Sequence, residues 1–486
     1  MPAFQHADIV AHEQDLSEPL EPCVGGLGGG VGDQQNEGPA QHGPVHVSRG
    51  VGVGGVACAG GRSRRCCRWP ECRDRRRGWR YQRFRIGLNG ATTTAQTTKD
   101  AFSLAGGHVD AGAYEYRLFA ADAAGAGENW YLRSSTSAPA PAPSPAPALS
   151  PTPAPSPVPT YRSEVPLLAA LPGQLRQADI AMLATSLRRT GDDDASARAI
   201  ASLEPVGGVL TSERRAWARA VYDDFDLRQG GTVTPASKGR LTGLQGGTDL
   251  VASDDGFWRG GVYVGSQEGR ADVSGLASGL WRNVGSNDLQ ARYLGAYATY
   301  ENATGFHADA VLQQGTHRYT ARPLGAAPVT GKAKSLIGSL ELGQVFGLGG
   351  GWRLEPQVQL MHRHAQFDDA ILSLARVRQD DGSDWFARAG LRLKGDLATS
   401  AGRLQPYVRA AVQRGSGTSV TQFIGPGGAA DISTGMGHTS IEAAGGATLS
   451  LNATTSLYGE VGKLFSAGGT EVSSAVQGSV GLRMRW

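Results

Sequence analysis

The last eight residues of the chain alternate between apolar and polar side chains. Val480, Leu482, Met484 and Trp486 are apolar, and the residues between them are small, polar or charged. Successive side chains of a strand point to opposite faces, so the pattern predicts a β-strand with one apolar and one polar face. A terminal aromatic fits the interfacial belt of a transmembrane barrel. An edge strand of a soluble β-sandwich is the alternative.

The same alternation recurs from about residue 214 to the C-terminus. It is clearest in residues 335–342, 355–360, 385–394 and 405–413. Short turns with Gly or Asn are interleaved with longer polar segments that we predict to be loops: turns 253–256, 302–305, 347–351 and 452–455, and loops 267–288, 314–334, 366–384 and 415–438. Short turns on one side and long loops on the other are typical of an antiparallel transmembrane β-barrel, here of about twelve strands.

Charged residues fall on the polar face of these strands. If Val408 and Val412 face lipid, Arg409 faces the lumen. The same alternation gives these lumen-lining candidates: Arg219, Asp249, Asp309, Glu341, Glu355, Arg388, Arg409, Glu442, Glu460 and Arg483. Because both signs are present, the lining could grip a threaded helix through ion pairs and hydrogen bonds, or simply hydrate a lumen.

A helix is predicted ahead of the barrel, over residues 173–190. Its apolar stripe and its polar face follow helical spacing: Leu171, Leu175, Ala178 and Met182, against Gln174, Gln177 and Arg188. Gly191 is a suitable stop, because glycine adopts the left-handed conformation that ends helices. We expect the whole segment 167–190 to be a helix that lies inside the barrel, since its apolar stripe is too narrow for lipid.

Residues 134–160 alternate proline with Ala, Ser, Thr and Val. This composition predicts a stiff, extended polyproline-type spacer that cannot join a sheet. A ligand for a proline-binding domain is the alternative. Upstream, residues 86–133 contain short aromatic strands, with Tyr114, Tyr116 and Leu118 on one face, and are too few to form more than the end of a longer β-solenoid.

Residues 1–85 have no strand or helix periodicity. They hold all five cysteines, Cys23, Cys58, Cys66, Cys67 and Cys72, within glycine-rich and arginine-rich runs. The cysteine spacing matches no paired zinc-ligand set, and we expect no nucleic-acid partner for the arginines. No basic segment followed by an apolar core precedes them, so we expect a segment of low order or an incorrectly assigned start.

Composition excludes a helical membrane protein, because only 40% of residues are hydrophobic and no apolar run is long enough to span a bilayer. The sequence also contains none of the common catalytic or ligand-binding motifs that we considered: no nucleophile elbow, HExxH pair or phosphate-binding loop occurs. We therefore expect no catalytic residues, cofactor or metal. His362 and His364 alternate on a strand and could hold a metal, but a polar lumen or loop base is the favoured setting.

Taken in order, the motifs resemble an autotransporter, with a pertactin-like passenger end and a translocator β-domain. They are the aromatic strands at 112–116 and 129–132, the proline spacer, residues 161–177, and a barrel that opens at Arg215-Ala216-Trp217. The terminal Ser479, Gly481, Met484 and Trp486 are similar to the β-signal read by the barrel-assembly machinery. The region 191–213 lacks the paired asparagines at which some members cut themselves, so cleavage stays open.

The resemblance implies an all-β, twelve-stranded barrel with a lumenal helix, monomeric in the Gram-negative outer membrane. Its partners would be membrane lipid, the assembly machinery, periplasmic chaperones and its own passenger, secreted to the cell surface as the solenoid end folds there. The implied divisions are residues 1–85, 86–133 (solenoid cap), 134–160 (linker), 161–213 (helix and connection) and 214–486 (barrel). An adhesin acting through loops or passenger, and a plain diffusion pore, are the alternatives.

Overall fold

The computed structural model describes residues 9–11, 102–121, 130–137, 157–191 and 214–486. Apart from Ile9–Ala11, the segment 1–85 with its five cysteines lies outside the described residues, as do residues 86–101. The chain forms two compact units. The first comprises Met1–Arg162, Ser373–Ala375 and Ile424–Ala429, and the second comprises the rest.

The described part of the first unit consists of short strands. Their bounds are β1 Ile9–Ala11, β2 Phe102–Leu104, β3 Val109–Ala111, β4 Tyr114–Ala120, β5 Trp130–Arg133, β6 Ser135–Ser137 and β7 Pro157–Pro159. Strands β3, β4 and β5 form an antiparallel sheet. Tyr116 and Leu118, on one face of β4, pack against Leu104 and Leu132. Such a sheet buries only a small apolar cluster.

The two ends of the proline spacer pair with each other. Strand β6 runs antiparallel to β7, with Thr136 opposite Val158. The prediction that this segment cannot join a sheet is therefore wrong at its ends. Proline lacks an N–H, but only alternate residues of an antiparallel strand need to donate to a given neighbour, and Val158 between the two prolines keeps its donor. The spacer between β6 and β7 lies outside the described residues.

Two helices precede the barrel: α1 spans Glu164–Ala181 and α2 spans Ser186–Thr190. The expected single helix over residues 167–190 is wrong in two respects. Helix α1 begins three residues earlier, at Glu164, and the helical segment breaks at Met182–Thr185 before α2. At Gly191 the φ angle is +64°, in the left-handed region, and the predicted helix stop lies there.

The second unit is dominated by twelve long antiparallel strands. Their bounds are β8 Arg215–Arg228, β9 Ala236–Ala252, β10 Trp258–Ala277, β11 Leu280–Glu301, β12 Phe306–Pro323, β13 Val329–Gln344, β15 Trp352–Phe367, β18 Gly382–Lys394, β20 Gly402–Gly415, β23 His438–Ser450, β24 Thr455–Gly469 and β25 Glu471–Arg485. Short strands add to the wall and loops: β14 Phe346–Gly349, β16 Ala370–Leu372, β17 Ala375–Gln379, β19 Leu397–Thr399, β21 Thr418–Gly425 and β22 Gly428–Gly435.

Pairing between neighbours closes this sheet into a barrel. Each long strand pairs with the next along the chain, and the last strand, β25, pairs with the first, β8. At the seam, the backbone N–H groups of Arg214 and Trp486 each donate to the other residue's carbonyl, at 3.2 and 3.1 Å. No edge is left unpaired at this seam, which is the condition for a sheet to sit in lipid.

Two of the predicted loops are strand instead. Most of 267–288 and 314–334 belongs to β10–β11 and β12–β13, whose connections are short. The β10–β11 turn is Ser278-Gly279, both with positive φ, as a two-residue hairpin requires. Alternation was lost there because the outward face becomes polar, as at Glu268 and Arg270. The segments 366–384 and 415–438 contribute β16, β17, β21 and β22, which form a separate four-stranded sheet.

The turns at the opposite end are short, as predicted for 253–256, 302–305 and 452–455. In the first, the Ser253 hydroxyl and the Phe257 N–H donate to the exposed Asp255 carboxylate, and these bonds lower the pKa of that carboxyl. Exposed aromatic residues such as Trp258, Trp352 and Trp486 lie near this end. They are placed as an interfacial aromatic girdle requires.

Candidate functional site

The inner wall is built by the strand alternation. On β20, Val408 and Val412 are exposed on the outside, and Arg409 between them is buried. Eight of the ten lumen-lining candidates are buried: Arg219, Asp249, Asp309, Glu341, Glu355, Arg409, Glu442 and Arg483. The other two, Arg388 and Glu460, have side chains that are 10% and 15% exposed. The interior of the barrel is thus lined with charge of both signs.

Helix α1 lies inside the barrel and is enclosed by this wall. Every residue from Glu164 to Asp179 is buried, including Leu171, Leu175 and Gln177, and Met182 just beyond the helix is buried as well. At 1.5 Å per residue its 18 residues extend about 27 Å, close to the thickness of a hydrocarbon core. Among the described helices, none is both long and apolar enough to be a membrane-spanning candidate.

A cluster around Asp179 holds the end of α1, and we call it the Asp179 clamp. Asp179 accepts hydrogen bonds from Arg363 Nε at 2.7 Å and Ser335 Oγ at 2.9 Å, and it lies 3.0 Å from His317 Nε2. Asp384 extends the clamp at 3.6 Å from Arg363. All five side chains are buried. A buried carboxylate is stable only with such partners, so the clamp fixes the helix in one position.

Arg176, the buried cation of helix α1, binds a neighbouring part of the wall. Its guanidinium donates to the backbone carbonyls of Ser416 at 3.0 Å and Met436 at 2.6 Å. It also lies 3.1 Å from His438 Nδ1 and 3.9 Å from Asp384. Arg176 therefore joins the helix to the wall at β18, β23 and the end of β20, which continue the sheet from β15, and it shares Asp384 with the Asp179 clamp.

Two helix glutamines bind further strands. Gln174 donates to Ser237 Oγ at 2.9 Å and accepts from Asn287 Nδ2 at 2.9 Å. Gln177 donates to the buried carboxylate of Asp223 at 2.7 Å. The polar face predicted for the helix thus makes direct bonds to the wall.

Pro172 leaves an acceptor free within α1, and the wall satisfies it. Proline has no N–H, so the carbonyl of Leu168, four residues earlier, has no helical donor. Gln379 Nε2 donates to this carbonyl at 2.7 Å. The external donor explains how the helix continues through a residue that normally interrupts one.

The break between α1 and α2 is also held by side chains of the wall. Gln245 donates to the carbonyl of Met182, and Arg219 to that of Leu183 at 3.3 Å. In α2, Arg189 pairs with Asp309 at 2.6 Å, and its guanidinium lies 3.8 Å from the centre of the Tyr297 ring. Asp309 also accepts from the Ser186 N–H at 2.9 Å.

Five of the ten predicted lining residues pair with one another. Arg409 contacts Glu442 at 2.8 Å and Glu460 at 3.0 Å, and Arg388 contacts Glu442 at 3.1 Å and Glu341 at 3.8 Å. In separate contacts, Glu355 pairs with Arg392, Asp249 accepts from Tyr297, and Arg483 donates to Ser456. Only Arg219 and Asp309 of the ten contact the helical segment in the bonds described here.

The residues that hold the helix most directly are not among the predicted site residues. They are Asp179, Arg176 and Arg189 on the helical segment and His317, Ser335 and Arg363 on the wall. The available signal was the placement of Arg176 and Asp179 within an apolar helix that cannot leave charges unpaired. On the strands, the alternation that selected Arg409 also selects the inward-facing Arg363.

The two histidines considered as metal ligands face outward. Met361, Arg363 and Ala365 of the same strand are buried, which places His362 and His364 on the outer surface rather than in the polar lumen expected for them. His362 packs on Trp385 with ring centres 4.6 Å apart, and His364 Nδ1 lies 3.0 Å from Ser383 Oγ. Within the described residues, no group of three or more His, Cys, Asp or Glu side chains could hold a metal.

Comparison with known proteins identifies this architecture. The family profile described as autotransporter beta-domain matches residues 216–462, about half of the chain. The chain belongs to the autotransporter β-domain family. Its autotransporter barrel is an outer-membrane translocator domain, located in the outer membrane of a Gram-negative bacterium with the passenger end at the cell surface.

Relatives of known identity agree with this assignment. The adhesin BmaC autotransporter of Brucella suis is 28% identical over 396 residues, which is 78% of this chain and 11% of that protein. The pertactin autotransporter of Bordetella bronchiseptica is 30% identical over 195 residues, which is 38% of this chain and 20% of that protein. The chain thus spans between a tenth and a fifth of the length of these relatives.

Solved structures of similar proteins include two autotransporter domains. The beta domain of the Bordetella autotransporter Brka has a TM-score of 0.41 and 22% identity, covering 56% of this chain and 98% of that domain. The translocator domain of NalP from Neisseria meningitidis has a TM-score of 0.45 and 13% identity, covering 65% of this chain and 98% of that domain.

Proposed function

We propose that this protein carries its N-terminal passenger through its own barrel to the cell surface. The helical segment is then the trailing part of the secreted chain, retained in the pore after the passenger has emerged. The observation that supports this most is that polar side chains of the wall bind the segment from Gln174 to Arg189. A diffusion pore has no need of such a segment.

The domain organisation belongs to the same proposal. Residues 86–133 form the passenger end that folds first outside, 134–160 the linker, 161–213 the pore segment with its connection, and 214–486 the translocator. Folding of the passenger end supplies the free energy of secretion, since the periplasm holds no nucleotide. Within the pore, Arg219 and Asp309 hold the segment, and the other lining candidates keep the lumen polar.

The partners and biological role extend this proposal. Periplasmic chaperones deliver the chain, and the assembly machinery recognises Ser479, Gly481, Met484 and Trp486 on the strand that closes the barrel. The product acts as a single barrel and has a non-enzymatic role. The Brucella relative is named as an adhesin, and by analogy an adhesive activity would reside in the passenger or in the extracellular loops.

Cysteine labelling in intact cells tests the direction of transport. Ser144→Cys in the linker and Thr304→Cys in a short turn are made in a chain whose five native cysteines are changed to serine. We expect a membrane-impermeant maleimide to label position 144 in intact cells. Position 304 serves as the matched control and should be labelled only after the outer membrane is permeabilised. The opposite pattern would show that the linker remains in the periplasm and would refute the proposal.

A further inference from the structure

Four cations are gathered on the outer surface of the barrel, just beyond its apolar belt. Arg292 lies on β11, Arg318 on β12, and Lys332 and Lys334 on β13, and all four are exposed. We call them the outer-rim basic cluster. They lie toward the end of the strands opposite the short turns, which is the extracellular end of the autotransporter barrel.

The strand register brings these four side chains together. Arg318 is directly opposite Lys332, and Thr316 is opposite both Arg292 and Lys334. Neighbouring strands are about 4.8 Å apart, and residues two apart on a strand share a face. Arg318 therefore has one cation beside it and two on the diagonals. Like charges directly opposite in a sheet destabilise it, so this arrangement favours a bound anion.

Other exposed cations toward this end of the barrel have acidic partners. Lys238 lies 3.3 Å from Asp226, Arg270 lies 3.8 Å from Asp288, and Arg322 donates to Asp288 at 2.6 Å. Within the described part of the chain, the structure gives the four clustered cations no such ion pair. Glu268 and Asp368 lie in the same rows on the flanking strands, which leaves an excess of two positive charges there.

An apolar groove lies directly below the cluster on the same strands. It has a volume of about 540 Å³ and is lined by small and aliphatic residues, including Ala296, Ala310 and Leu340, with Trp385 at one side. A Cβ added at Gly338, in its floor, would meet no atom within 4 Å. Arg292 is four residues from Ala296, or about 13 Å at 3.3 Å per residue. Leu294 and Leu336 connect the two regions.

We propose that this surface binds one phosphorylated lipid of the outer leaflet. The basic cluster holds the lipid phosphate through charge-assisted hydrogen bonds, and an acyl chain occupies the groove. The positive charge of the cluster favours an anionic ligand. Because the cluster adjoins the apolar belt, a lipid fits this surface better than a free ion does. The occupant is thus a lipid with its phosphate at the rim, and binding relieves the repulsion between Arg318 and Lys332.

Lipid titration of the folded full-length protein in non-ionic detergent tests this, with bound lipids counted by native mass spectrometry. The probe is diphosphoryl lipid A, compared with the same lipid lacking both phosphates. We expect one tightly bound diphosphoryl lipid A. Arg318→Gln with Lys332→Gln should weaken its binding by about tenfold or more, because the double variant removes two charge-assisted hydrogen bonds to the lipid phosphates.

Matched variants separate this site from general charge attraction. Lys238→Gln with Arg270→Gln removes the same charge from two ion-paired positions and should leave the affinity unchanged. Gly338→Leu keeps the cluster and fills the groove, and it should weaken lipid binding. Gel mobility before and after heating verifies that each variant is folded.

Three outcomes would overturn the proposal. They are equal losses in the two double variants, equal affinity for the lipid without phosphates, and unchanged binding by Gly338→Leu. Displacement of the lipid by inorganic phosphate at equal concentration would likewise show a free-anion site instead of a lipid site.

Discussion

At the scale of single residues, Gly481 and Tyr458 show how the wall makes room for the helical segment. The Tyr458 ring lies over Gly481 on the neighbouring strand, where an added Cβ would overlap the ring atoms. The Tyr458 hydroxyl donates to the carbonyl of Arg189 at 2.7 Å. Glycine at 481 therefore allows a wall tyrosine to reach the end of α2, a structural role independent of any recognition by the assembly machinery.

Gly481→Ala should destabilise the barrel, because the methyl group displaces the Tyr458 ring and breaks its bond to Arg189. Overpacking of this kind costs about 1–3 kcal/mol. The measurement is refolding of the purified chain into detergent micelles without assembly machinery, followed by gel mobility.

Gly459→Ala is the control, since a Cβ at 459 would make only an ordinary contact of 3.4 Å with the Ser479 carbonyl. If both variants refold like the wild type and Gly481→Ala fails only in cells, the glycine acts as a recognition signal alone.

At the scale of elements, the Asp179 clamp fixes the position of α1 along the barrel axis. Asp179→Asn should lower barrel stability by about 3–5 kcal/mol, because it leaves the buried Arg363 without its nearest carboxylate. The measurement is the temperature at which the folded band is lost on a gel, with an expected decrease of about 6 °C or more.

The comparison variant is Asp288→Asn, which breaks the more exposed pair with Arg322. An exposed pair contributes about 0–1 kcal/mol, so this variant should melt close to the wild type. Equal melting temperatures for the two variants would mean that the clamp does not stabilise the barrel.

The predictability of each element depended on whether one physical constraint dominated. The barrel strands were predictable because lipid on one side and a polar lumen on the other force strict alternation, as at Val408, Arg409 and Val412. The hairpins beyond the membrane were not, since Glu268 and Arg270 face water and both strand faces can be polar. The donor that compensates for Pro172 in α1 was not predictable, because Gln379 is more than two hundred residues away in the sequence.

The sequence predicts which residues face the lumen better than it predicts which of them bond to each other. Alternation selects which charges face inward, but it does not specify whether Glu442 meets a helix residue or Arg409. That choice depends on the height and rotation of α1 in the bore, which contacts such as Gln177 with Asp223 determine in three dimensions.

At the scale of the whole molecule, a helix fills the bore of a twelve-stranded barrel. A barrel of this size has an interior wide enough for one helix of about 10 Å diameter, and an empty one would conduct ions. Since residues 164–179 are all buried, little open space remains around α1. We therefore regard the helical segment as the element that closes the pore.

Deleting residues 167–190 should raise single-channel conductance in planar bilayers and lower the thermal stability of the barrel. Conductance rises because the bore loses its occupant. Stability falls because Asp223, Asp309 and Arg363 lose the partners that compensate their burial. Deleting residues 138–156 of the linker shortens the chain outside the helical segment and is the matched control, with conductance expected to equal that of the wild type. Wild-type conductance in the helix deletion would mean that the wall closes the pore by itself, and the translocator proposal would lose its main structural support.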